Sequence, residues 1–427
     1  MKVFKFGGAS VKDAIGIKNV ANIISGHNNN NLIVVVSAMG KVTNLLEELT
    51  KAYYYKTSNA KDVLEKIKQY HLQIMDELFE GENHIIYQEI NSIFKIINEK
   101  VENQVSSPFD SQYDQLVSLG EFLSSKILSA YLNLKGYKNE WIDARDFLKT
   151  DSTFREAKIN WELSQKLWDE KYKPLLEKGQ NTYVTQGFIG SNAENLTTTL
   201  GRDGSDYSAA IISHIANAKD LTIWKDVPGL LNADPKWFDE TEIISQISYH
   251  DAIELAYYGA NIIHPKTIKP LQNKSIPLFV KSFINPETPG TVIDQNTSKL
   301  PVACFIFKVN QVLISISPKD FSFIIEENLS HIFKIFADYR VKIHVMNNTA
   351  LKFSVCIDFD EQKNTDLVNK LSETFKVNVK NGLELVTIRY YDQKTIDRVT
   401  ENKQIFLELK SRNTVQMVMS DVVKQSK

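Results

Sequence analysis

The chain has 427 residues, of which 43% are hydrophobic and 24% are charged. This length predicts two or three domains, each able to bury a substantial core. The 50 basic residues nearly balance the 52 acidic ones, for a net charge of −2. The charge balance therefore gives no reason to expect nucleic acid or an anionic membrane as a partner.

The two cysteines and eight histidines argue against two kinds of site. Cys304 and Cys356 lie in apolar, strand-like runs, which favours buried structural thiols over a disulfide or a reactive pair. The histidines are scattered and form no cluster with transition-metal spacing. No signal peptide or membrane-spanning apolar run is recognisable, so a cytoplasmic location is expected.

The N-terminal segment 2–6 alternates like a strand and ends in Gly7 and Gly8. Glycines at the carboxyl end of a strand let phosphates approach the main chain, and Lys5 can supply the countercharge. The segment matches neither the G-x-G-x-x-G pattern nor the P-loop pattern. The next apolar run, 31–39, predicts a buried parallel strand that is followed by Gly40 and Thr43.

Apolar residues recur every three or four positions from Val42 to about Val105, which predicts helical hairpins. The stripe favours core packing over a ligand site. The pattern then predicts a helix over 113–134, a strand over 137–142 and a helix over 161–177. Strand and helix alternate, as in an open α/β sheet.

A glycine loop loaded with hydroxyls, Thr197-Thr-Thr-Leu-Gly-Arg-Asp-Gly-Ser-Asp206, runs into a helical pattern. Gly201 and Gly204 permit tight turns, and the start of the helix presents unpaired N–H groups with partial positive charge. The loop therefore suits a polyanion. Taken alone, it also fits an ordinary helix N-cap.

Segments 181–190 and 220–224 predict two further strands, each followed by a loop where open sheets bind ligands. The turn-rich and polar segment 285–299 places a domain boundary near Ser298, so residues 1–298 and 299–427 are predicted as two domains. In the second, strands are expected at 303–307, 312–317, 341–347, 352–358, 377–379, 383–390 and 414–419, with helices at 324–339, 364–375 and 394–409. This alternation is ferredoxin-like.

Charged or hydroxyl-bearing residues fall at the ends of several predicted elements, which is the inventory that phosphoryl transfer needs for positioning and charge neutralisation. They are Lys5, Ser37, Thr43, Glu121, Arg145, Asp146, Arg202, Asp206, Asp226 and Asp234. Individually they have simpler explanations. Glu121 fits a solvated carboxylate at a helix start, Arg145 and Asp146 fit a local ion pair, and His264 fits a helix entry.

The combination of motifs resembles the aspartate kinases of the amino-acid kinase superfamily, in order over nearly the whole chain. The motifs are Lys5-Phe-Gly-Gly-Ala-Ser-Val11, Val34-Val-Val-Ser-Ala-Met39 with Thr43-Asn44, Gly120-Glu121, Thr198-Thr-Leu-Gly-Arg-Asp-Gly-Ser-Asp206, Asp226-Val-Pro-Gly229 and Gly259-Ala260 with His264-Pro265. The resemblance implies an amino-acid-kinase-like open sheet sandwiched by helices, followed by a smaller α+β, ferredoxin-like ACT region. It also implies transfer of the ATP γ-phosphoryl group to the β-carboxylate of L-aspartate, with Mg²⁺, at the entry to lysine, threonine and methionine biosynthesis.

Site roles follow from the same resemblance. It implies that the transferring phosphate is held by Lys5, Gly7 and Gly8, with Asp206 beside it. It implies that aspartate is bound by Ser37, Thr43, Glu121, Arg202 and Ser205. It implies a nucleotide border formed by Lys225, Asp226, Leu231, Asp234, Lys236, Asn261 and Lys266. No metal-binding side chain is assigned.

Several residues depart from the family pattern. Ala9 replaces a usual threonine, and Asp203 replaces a usual glycine, which adds negative charge near the triphosphate. On the nucleotide side, Lys225, Leu231, Lys236 and Asn261 also differ from the usual residues. We expect Lys225 and Lys266 to restore the missing positive charge.

The ACT region also departs from its family, because Ser317-Pro-Lys-Asp-Phe-Ser-Phe323 replaces the usual glycine-rich effector loop and the second module is short. A lysine or threonine effector and a purely structural, homodimer-forming role both remain open. The chain ends where a fused homoserine dehydrogenase would begin, so a monofunctional kinase is expected. Two alternatives remain: a catalytically weakened amino-acid-binding regulatory protein, and a kinase of another small carboxylate.

Overall fold

The computed structural model describes residues 1–27, 31–57, 59–79, 84–105, 107–177, 182–238, 240–260, 263–296, 302–320 and 322–422. The chain forms two compact units. The first contains residues 1–230, 245–253 and 262–298, and the second contains 231–244, 254–261 and 299–427. The predicted boundary near Ser298 lies outside the described residues. No described helix is both long and apolar enough to cross a membrane.

The first three hundred residues contain both strands and helices. The strands are β1 (Lys2–Phe6), β2 (Leu32–Val36), β3 (Asn139–Trp141), β4 (Thr182–Gln186), β5 (Ile189–Ser191), β6 (Thr197–Thr199), β7 (Asp220–Lys225), β8 (Leu230–Leu231), β9 (Ile243–Ile244), β10 (Gln246–Ser248), β11 (Leu278–Ser282) and β12 (Thr291–Asp294). The helices are α1 (Ala14–Ser25), α2 (Val42–Tyr54), α3 (Ala60–Leu78), α4 (Ile85–Glu102), α5 (Phe109–Val117), α6 (Leu119–Leu134), α7 (Trp161–Lys171), α8 (Lys173–Glu177), α9 (Gly204–Ile215), α10 (Tyr249–Tyr258) and α11 (Pro265–Gln272).

The first unit is built on an eight-stranded sheet in the order β10-β12-β11-β7-β1-β2-β4-β3. All neighbouring pairs are parallel except β11 with β12. Strand β2 is buried along its whole length, as expected for a parallel strand covered on both faces. The chain passes from β1 to β2 on one side and later adds β7 on the other. This reversal opens a crevice at the carboxyl ends of the central strands.

The helical segment predicted between Val42 and Val105 is confirmed as α2, α3 and α4, whose buried residues follow the apolar stripe. The single helix predicted over 113–134 is instead two helices, α5 and α6, which meet at Ser118. The Ser118 N–H donates to the Asp114 carbonyl, and the next helix restarts at once. Because of this break, α5 and α6 each contribute residues to the cavity described below.

The second unit contains a six-stranded antiparallel sheet in the order β14-β15-β13-β16-β18-β17. Its elements are β13 (Cys304–Pro318), α12 (Glu326–Asp338), β14 (Ile343–Asn348), β15 (Phe353–Asp358), α13 (Glu361–Thr374), β16 (Phe375–Arg389), α14 (Gln393–Thr400), β17 (Lys403–Lys410) and β18 (Thr414–Asp421). Its helices alternate with strands in the predicted ferredoxin-like order. The predicted fold class, an amino-acid-kinase-like α/β sheet followed by an ACT-like α+β region, is confirmed.

Two expectations for this unit are corrected. The strand pairs predicted at 303–317 and 377–390 are each one continuous strand, because β13 and β16 pair along their length across a register shift near Gln311. The helix predicted over 394–409 ends at Thr400, and residues 403–410 form β17 against β18. Cys304 and Cys356 are buried and are not joined in a disulfide, as predicted.

Candidate active site

The first glycine turn lies at the carboxyl end of the central strand β1. Lys5 pairs with Val35 of β2 and Ile223 of β7 in the sheet register, and only 8% of the residue is exposed. A Cβ on Gly8 would lie 2.8 Å from the carbonyl oxygens of Ala38 and Gly40. Glycine is therefore required here, because the turn after β1 packs directly on the turn after β2.

The second glycine turn precedes α9. Gly201 has a φ of +73°, and a Cβ there would lie 3.0 Å from the Arg155 carbonyl oxygen. Asp203, at the N-cap position, has a φ of +54° and makes no side-chain capping bond. The first N–H groups of α9 are free of intrahelical partners, as at any helix start, and the helix begins at the cavity edge with Gly204.

The two glycine turns meet through an ion pair. Lys5 Nζ lies 2.6 Å from Asp206 Oδ1, and Lys225 Nζ lies 3.8 Å from Asp206 Oδ2. Burial raises the pKa of Asp206, but Lys5 and Lys225 more than offset that effect, so the net pKa is lowered. Asp206 is thus an ionised carboxylate, held between two cations that come from the ends of β1 and β7.

Both turns open onto one cavity of about 970 Å³. Eight of the predicted catalytic and substrate-binding residues line it: Lys5, Gly8, Ser37, Thr43, Glu121, Arg202, Ser205 and Asp206. Gly7 adjoins them, because a Cβ built on it would lie 3.5 Å from Lys5 Nζ. The volume lies in the range of small-molecule sites.

Glu121, in the first turn of α6, is the most deeply buried acid at the cavity, with 2% exposure. Burial raises its pKa well above the ordinary value of 4.5, while Lys5 and the Ala38 N–H lower it. Its Oε2 atom has no hydrogen-bond partner among the described residues. A buried polar atom with unused bonding capacity that lines a cavity is suited to bind a ligand donor.

Arg202 contrasts with Glu121, because its side chain is 81% exposed. Its closest charged partner in the structure is Asp203, with Nε to Oδ2 at 3.8 Å. The guanidinium is therefore held loosely and is available for a planar, bidentate contact with a carboxylate.

The predicted nucleotide-binding residues belong to both units of the chain. In the first unit, Lys225 ends β7, and Asp226 follows it as an exposed residue. Lys266, in the first turn of α11, donates to the Leu200 carbonyl at 2.6 Å. Its ammonium also lies 5.1 Å from the centre of the Tyr207 ring. Lys266 thus contacts the backbone of the second glycine turn.

The other four nucleotide-binding candidates lie elsewhere in the chain. Leu231, Asp234 and Lys236 belong to the segment 231–244 of the second unit. There the Asp234 carboxylate accepts a hydrogen bond from the Lys236 N–H at 2.9 Å. Asn261 lies outside the described residues.

Sequence reasoning missed one wall of the cavity, formed by residues 153–156 together with Asp110, Tyr113, Glu47 and Phe188. Arg155 adopts a left-handed φ of +68°, and its guanidinium lies 4.5 Å from the Tyr113 ring centre. The segment follows no motif and lies in a long loop between β3 and α7. The density of Asp, Ser and Thr at 151–153 was its only signal in the sequence.

Comparisons with known proteins agree with this geometry. Residues 1–282 match the model of the amino acid kinase family. Aspartokinase 2, chloroplastic, of Arabidopsis thaliana is 30% identical over 417 residues, which cover 94% of this chain and 74% of that protein. The chain spans 42% of the length of the bifunctional aspartokinase/homoserine dehydrogenase 2 of the same plant, at 30% identity over 396 residues.

Solved structures give the same result over nearly the whole chain. Aspartokinase III of Escherichia coli, in complex with lysine and aspartate, superposes with a TM-score of 0.81 at 27% identity, covering 98% of this chain and 95% of that one. The same enzyme in complex with aspartate and ADP gives a TM-score of 0.79 at 27% identity, covering 98% and 96%. The chain belongs to the amino acid kinase family and, within it, to the aspartokinases.

Proposed function

We propose that this chain transfers the γ-phosphoryl group of MgATP to the β-carboxylate of L-aspartate, giving 4-phospho-L-aspartate and ADP. The observation that carries the proposal is the single cavity onto which Lys5, Asp206, Glu121 and Arg202 all open. A structural relative binds aspartate and ADP, which supports the same pair of ligands here. We place the reaction at the entry to lysine, threonine and methionine biosynthesis.

The phosphate side of the site would be formed by the two glycine turns. Lys5 would neutralise charge on the transferring group, since phosphoryl transfer is accelerated chiefly by positioning and electrostatic stabilisation. Gly7 and Gly8 let the phosphate approach the main chain, and the N-terminus of α9 adds N–H donors with partial positive charge. The Asp206 carboxylate, 2.6 Å from Lys5 Nζ, would hold the Lys5 side chain at the cavity.

The aspartate side would be formed by residues of opposite charge. Glu121 is suited to the substrate ammonium, because its Oε2 has no hydrogen-bond partner among the described residues. The exposed fork of Arg202 is suited to a substrate carboxylate. The hydroxyls of Ser37, Thr43 and Ser205 supply further donors. The attacking carboxylate is ionised at neutral pH, so no general base is needed for in-line attack.

The nucleotide would be bordered by Lys225, Asp226 and Lys266 of the first unit. For Leu231, Asp234, Lys236 and Asn261, a nucleotide-binding role stays a prediction. Lys225 and Lys266 supply positive charge that can offset Asp203.

Magnesium fits this arrangement through the substrate. Among the described residues, no group of three or more His, Cys, Asp or Glu side chains is placed to hold a metal. In phosphoryl-transfer sites Mg²⁺ is held mostly by phosphates and water, with one or two carboxylates, so Asp206 would suffice as the protein's contribution. When bound, the ion neutralises phosphate charge.

For the second unit we propose a regulatory and homodimer-forming role. Its ferredoxin-like order and a relative that binds lysine support lysine or threonine as the candidate effector. We propose one catalytic activity, that of the kinase, for the two units described. A cytoplasmic location stays a prediction.

One assay tests the main proposal: aspartate-dependent ADP release with hydroxylamine present to trap an acyl phosphate. Formation of aspartate hydroxamate is the expected result. Nucleotide binding without turnover would favour the regulatory-protein alternative. Turnover only with another small acid would favour a different carboxylate substrate, and either outcome contradicts the assignment.

A further inference from the structure

Asp114, on α5, is a fully buried carboxylate that the proposed reaction does not use; its exposure is 0%. It accepts hydrogen bonds from two separate segments. The Thr199 N–H donates to Oδ2 at 2.8 Å, and the Thr199 hydroxyl donates to Oδ1 at 2.7 Å. The Arg155 N–H lies 3.0 Å from Oδ2 and 3.2 Å from Oδ1. Both carboxylate oxygens therefore accept hydrogen bonds from Thr199 and from Arg155.

The two segments that Asp114 holds both lead into residues that line the cavity, namely 153–156 and 201–206. Thr199 ends β6 and immediately precedes the second glycine turn, which carries Arg202. Arg155 lies in the wall segment 153–156. The segments also touch each other directly, because the Ala157 N–H donates to the Thr199 carbonyl at 3.0 Å.

A neighbouring residue strengthens the same attachment. The Gln115 side chain donates to the Thr197 carbonyl at 2.7 Å and accepts from the Thr197 N–H at 3.3 Å. Two consecutive residues of α5 thus fasten β6, one near each end of this three-residue strand. The start of the second glycine turn is fixed by α5, and not only by its own backbone.

Burying an ionised carboxylate at Asp114 costs more free energy than burying an apolar side chain there would. Burial raises the pKa of Asp114 from 3.8 to about 6, although the hydrogen bonds from Arg155 and Thr199 lower it. Because the folded-state pKa is raised, the ionised form opposes folding, and stability decreases as pH rises from about 3.8 to about 6. A carboxylate is nevertheless the group whose charge-assisted bonds hold three donors most firmly.

We propose that Asp114 is a positioning residue for the substrate aspartate: by holding Thr199 and Arg155, it fixes the backbone from which Arg202 reaches the cavity. This inference rests on the proposed function. Asp114 lines no part of the cavity itself, so it acts through the segment 199–204 and does not touch substrate. Small displacements of a binding group are costly, since misplacement by about 1 Å can reduce rates by about 10²-fold.

The test compares aspartate and ATP kinetics in Asp114→Asn. The amide keeps the size of the carboxylate but directs an NH₂ group at donors, so one or two of the bonds are lost. We expect the KM for aspartate to rise about tenfold or more, with the KM for ATP within about twofold of the original. An aspartate KM within about twofold of the original would overturn the proposal, as would equal increases for both substrates.

Three further variants separate positioning from general damage. Thr199→Val removes only the hydroxyl donor and should raise the aspartate KM, whereas Thr199→Ser keeps that donor and should restore it. Asp220→Asn changes another buried carboxylate whose pKa burial also raises, at the opposite end of β7. It should leave the aspartate KM unchanged. Failure of serine to restore the KM, or an equal effect of Asp220→Asn, would contradict the proposal.

A measurement without substrate separates a failure of this positioning proposal from a failure of the proposed kinase function. Hydrogen exchange at the amides of Thr199 and Arg155 should accelerate in Asp114→Asn, because both donate to the carboxylate. If the unmodified protein showed no aspartate-dependent turnover, the proposed function would fail. Loss of protection at these two amides would still support the positioning role, and unchanged protection would overturn it.

Discussion

Two clusters of titratable side chains, one in each unit, differ in what surrounds them. The active-site cluster consists of Lys5, Asp206 and Glu121 beside a cavity of about 970 Å³. The second-unit cluster consists of Lys308, His344 and Asp358. In it, Lys308 Nζ lies 3.0 Å from His344 Nδ1, and His344 Nε2 lies 2.8 Å from Asp358 Oδ2.

The volume of the cavity beside each cluster determines whether a ligand can bind there. The cavity next to the second-unit cluster is only about 10 Å³, and both ring nitrogens of His344 already have neighbours that can bond them. At the active-site cluster, Glu121 Oε2 keeps unused bonding capacity. A cluster of titratable groups therefore indicates a ligand site only where a cavity of sufficient size accompanies it.

The largest expected effect comes from replacing the lysine of each cluster, Lys5 in the first unit and Lys308 in the second. Lys5→Met should lower aspartate-dependent turnover by about 10³-fold or more, because the charge that stabilises the transferring phosphate is lost. Lys308→Met removes a half-buried amine that the proposed reaction does not use, and it should leave turnover within about twofold. The hydroxamate assay measures both. Similar losses in the two variants would show that the comparison is wrong.

A control is needed because Lys5→Met leaves Asp206 with one cation fewer in a buried site, which lowers stability. The double variant Lys5→Met/Asp206→Asn should recover thermal stability without recovering activity. Recovered activity would mean that Lys5 serves the fold and not the reaction.

Arg202 supplies the next largest effect. Arg202→Lys keeps the charge but loses the planar fork, so the KM for aspartate should rise roughly 10- to 100-fold, with a smaller change in kcat. The side chain is 81% exposed, and the melting temperature should therefore stay the same. Steady-state kinetics at saturating ATP measure the change. A larger change in the KM for ATP than in the KM for aspartate would indicate that Arg202 binds the nucleotide and not aspartate.

The raised pKa of Glu121 predicts a pH dependence. Burial favours the protonated form, whereas binding of the substrate ammonium needs the ionised form. The value of kcat/KM for aspartate should therefore rise with pH above 4.5, up to the raised pKa of Glu121. Glu121→Gln should lower kcat/KM by roughly tenfold and remove this rise. An unchanged pH profile in the glutamine variant would exclude the role.

Stability gives Glu121 an independent check. Because its folded-state pKa is raised, this group stabilises the fold fully below pH 4.5, and the contribution is lost as pH rises through the raised pKa. At pH 8 Glu121→Gln should therefore melt no lower than the original protein. A lower melting temperature would indicate that the ionised carboxylate is held by structural partners.

The smallest effect concerns Asp203, the acid in the second glycine turn. Asp203→Asn removes the charge, and the KM for ATP should fall by roughly two- to fivefold, as expected for a partly exposed charge. Asp203→Gly also relieves the left-handed φ of +54° and serves as the matched backbone variant. If only the glycine variant changed the KM, backbone conformation and not charge would be responsible.

Sequence patterns predicted the elements of the first unit well wherever one periodicity dominated. The buried run of β2 and the apolar stripe of α3 and α4 left little ambiguity, because apolar residues must face the core. The prediction was wrong where helical and strand periodicities of apolar residues overlapped in one segment. The helix predicted over 394–409 included β17, whose alternation is decided by its pairing with β18.

For the candidate site, too, the sequence predicted some residues and missed others. The glycine turns and their lysine and arginine were identified because each motif is contiguous in sequence. The wall at 153–156 was not, since Arg155 and Glu156 belong to an unpatterned loop. Asp114 was missed for a related reason: within α5 it is one polar residue among several, and its partners Thr199 and Arg155 are distant in the chain.

The sequence by itself determined an α/β chain with two glycine turns that suit phosphate, because turn geometry and core burial are local properties of the residues. Only the tertiary structure decided that Lys5 meets Asp206, that Glu121 is buried with an unsatisfied oxygen, and that α5 holds two segments that lead into the cavity lining. Those features depend on which strands pair and how helices pack on them, and contacts between distant segments leave no periodic signal in the sequence.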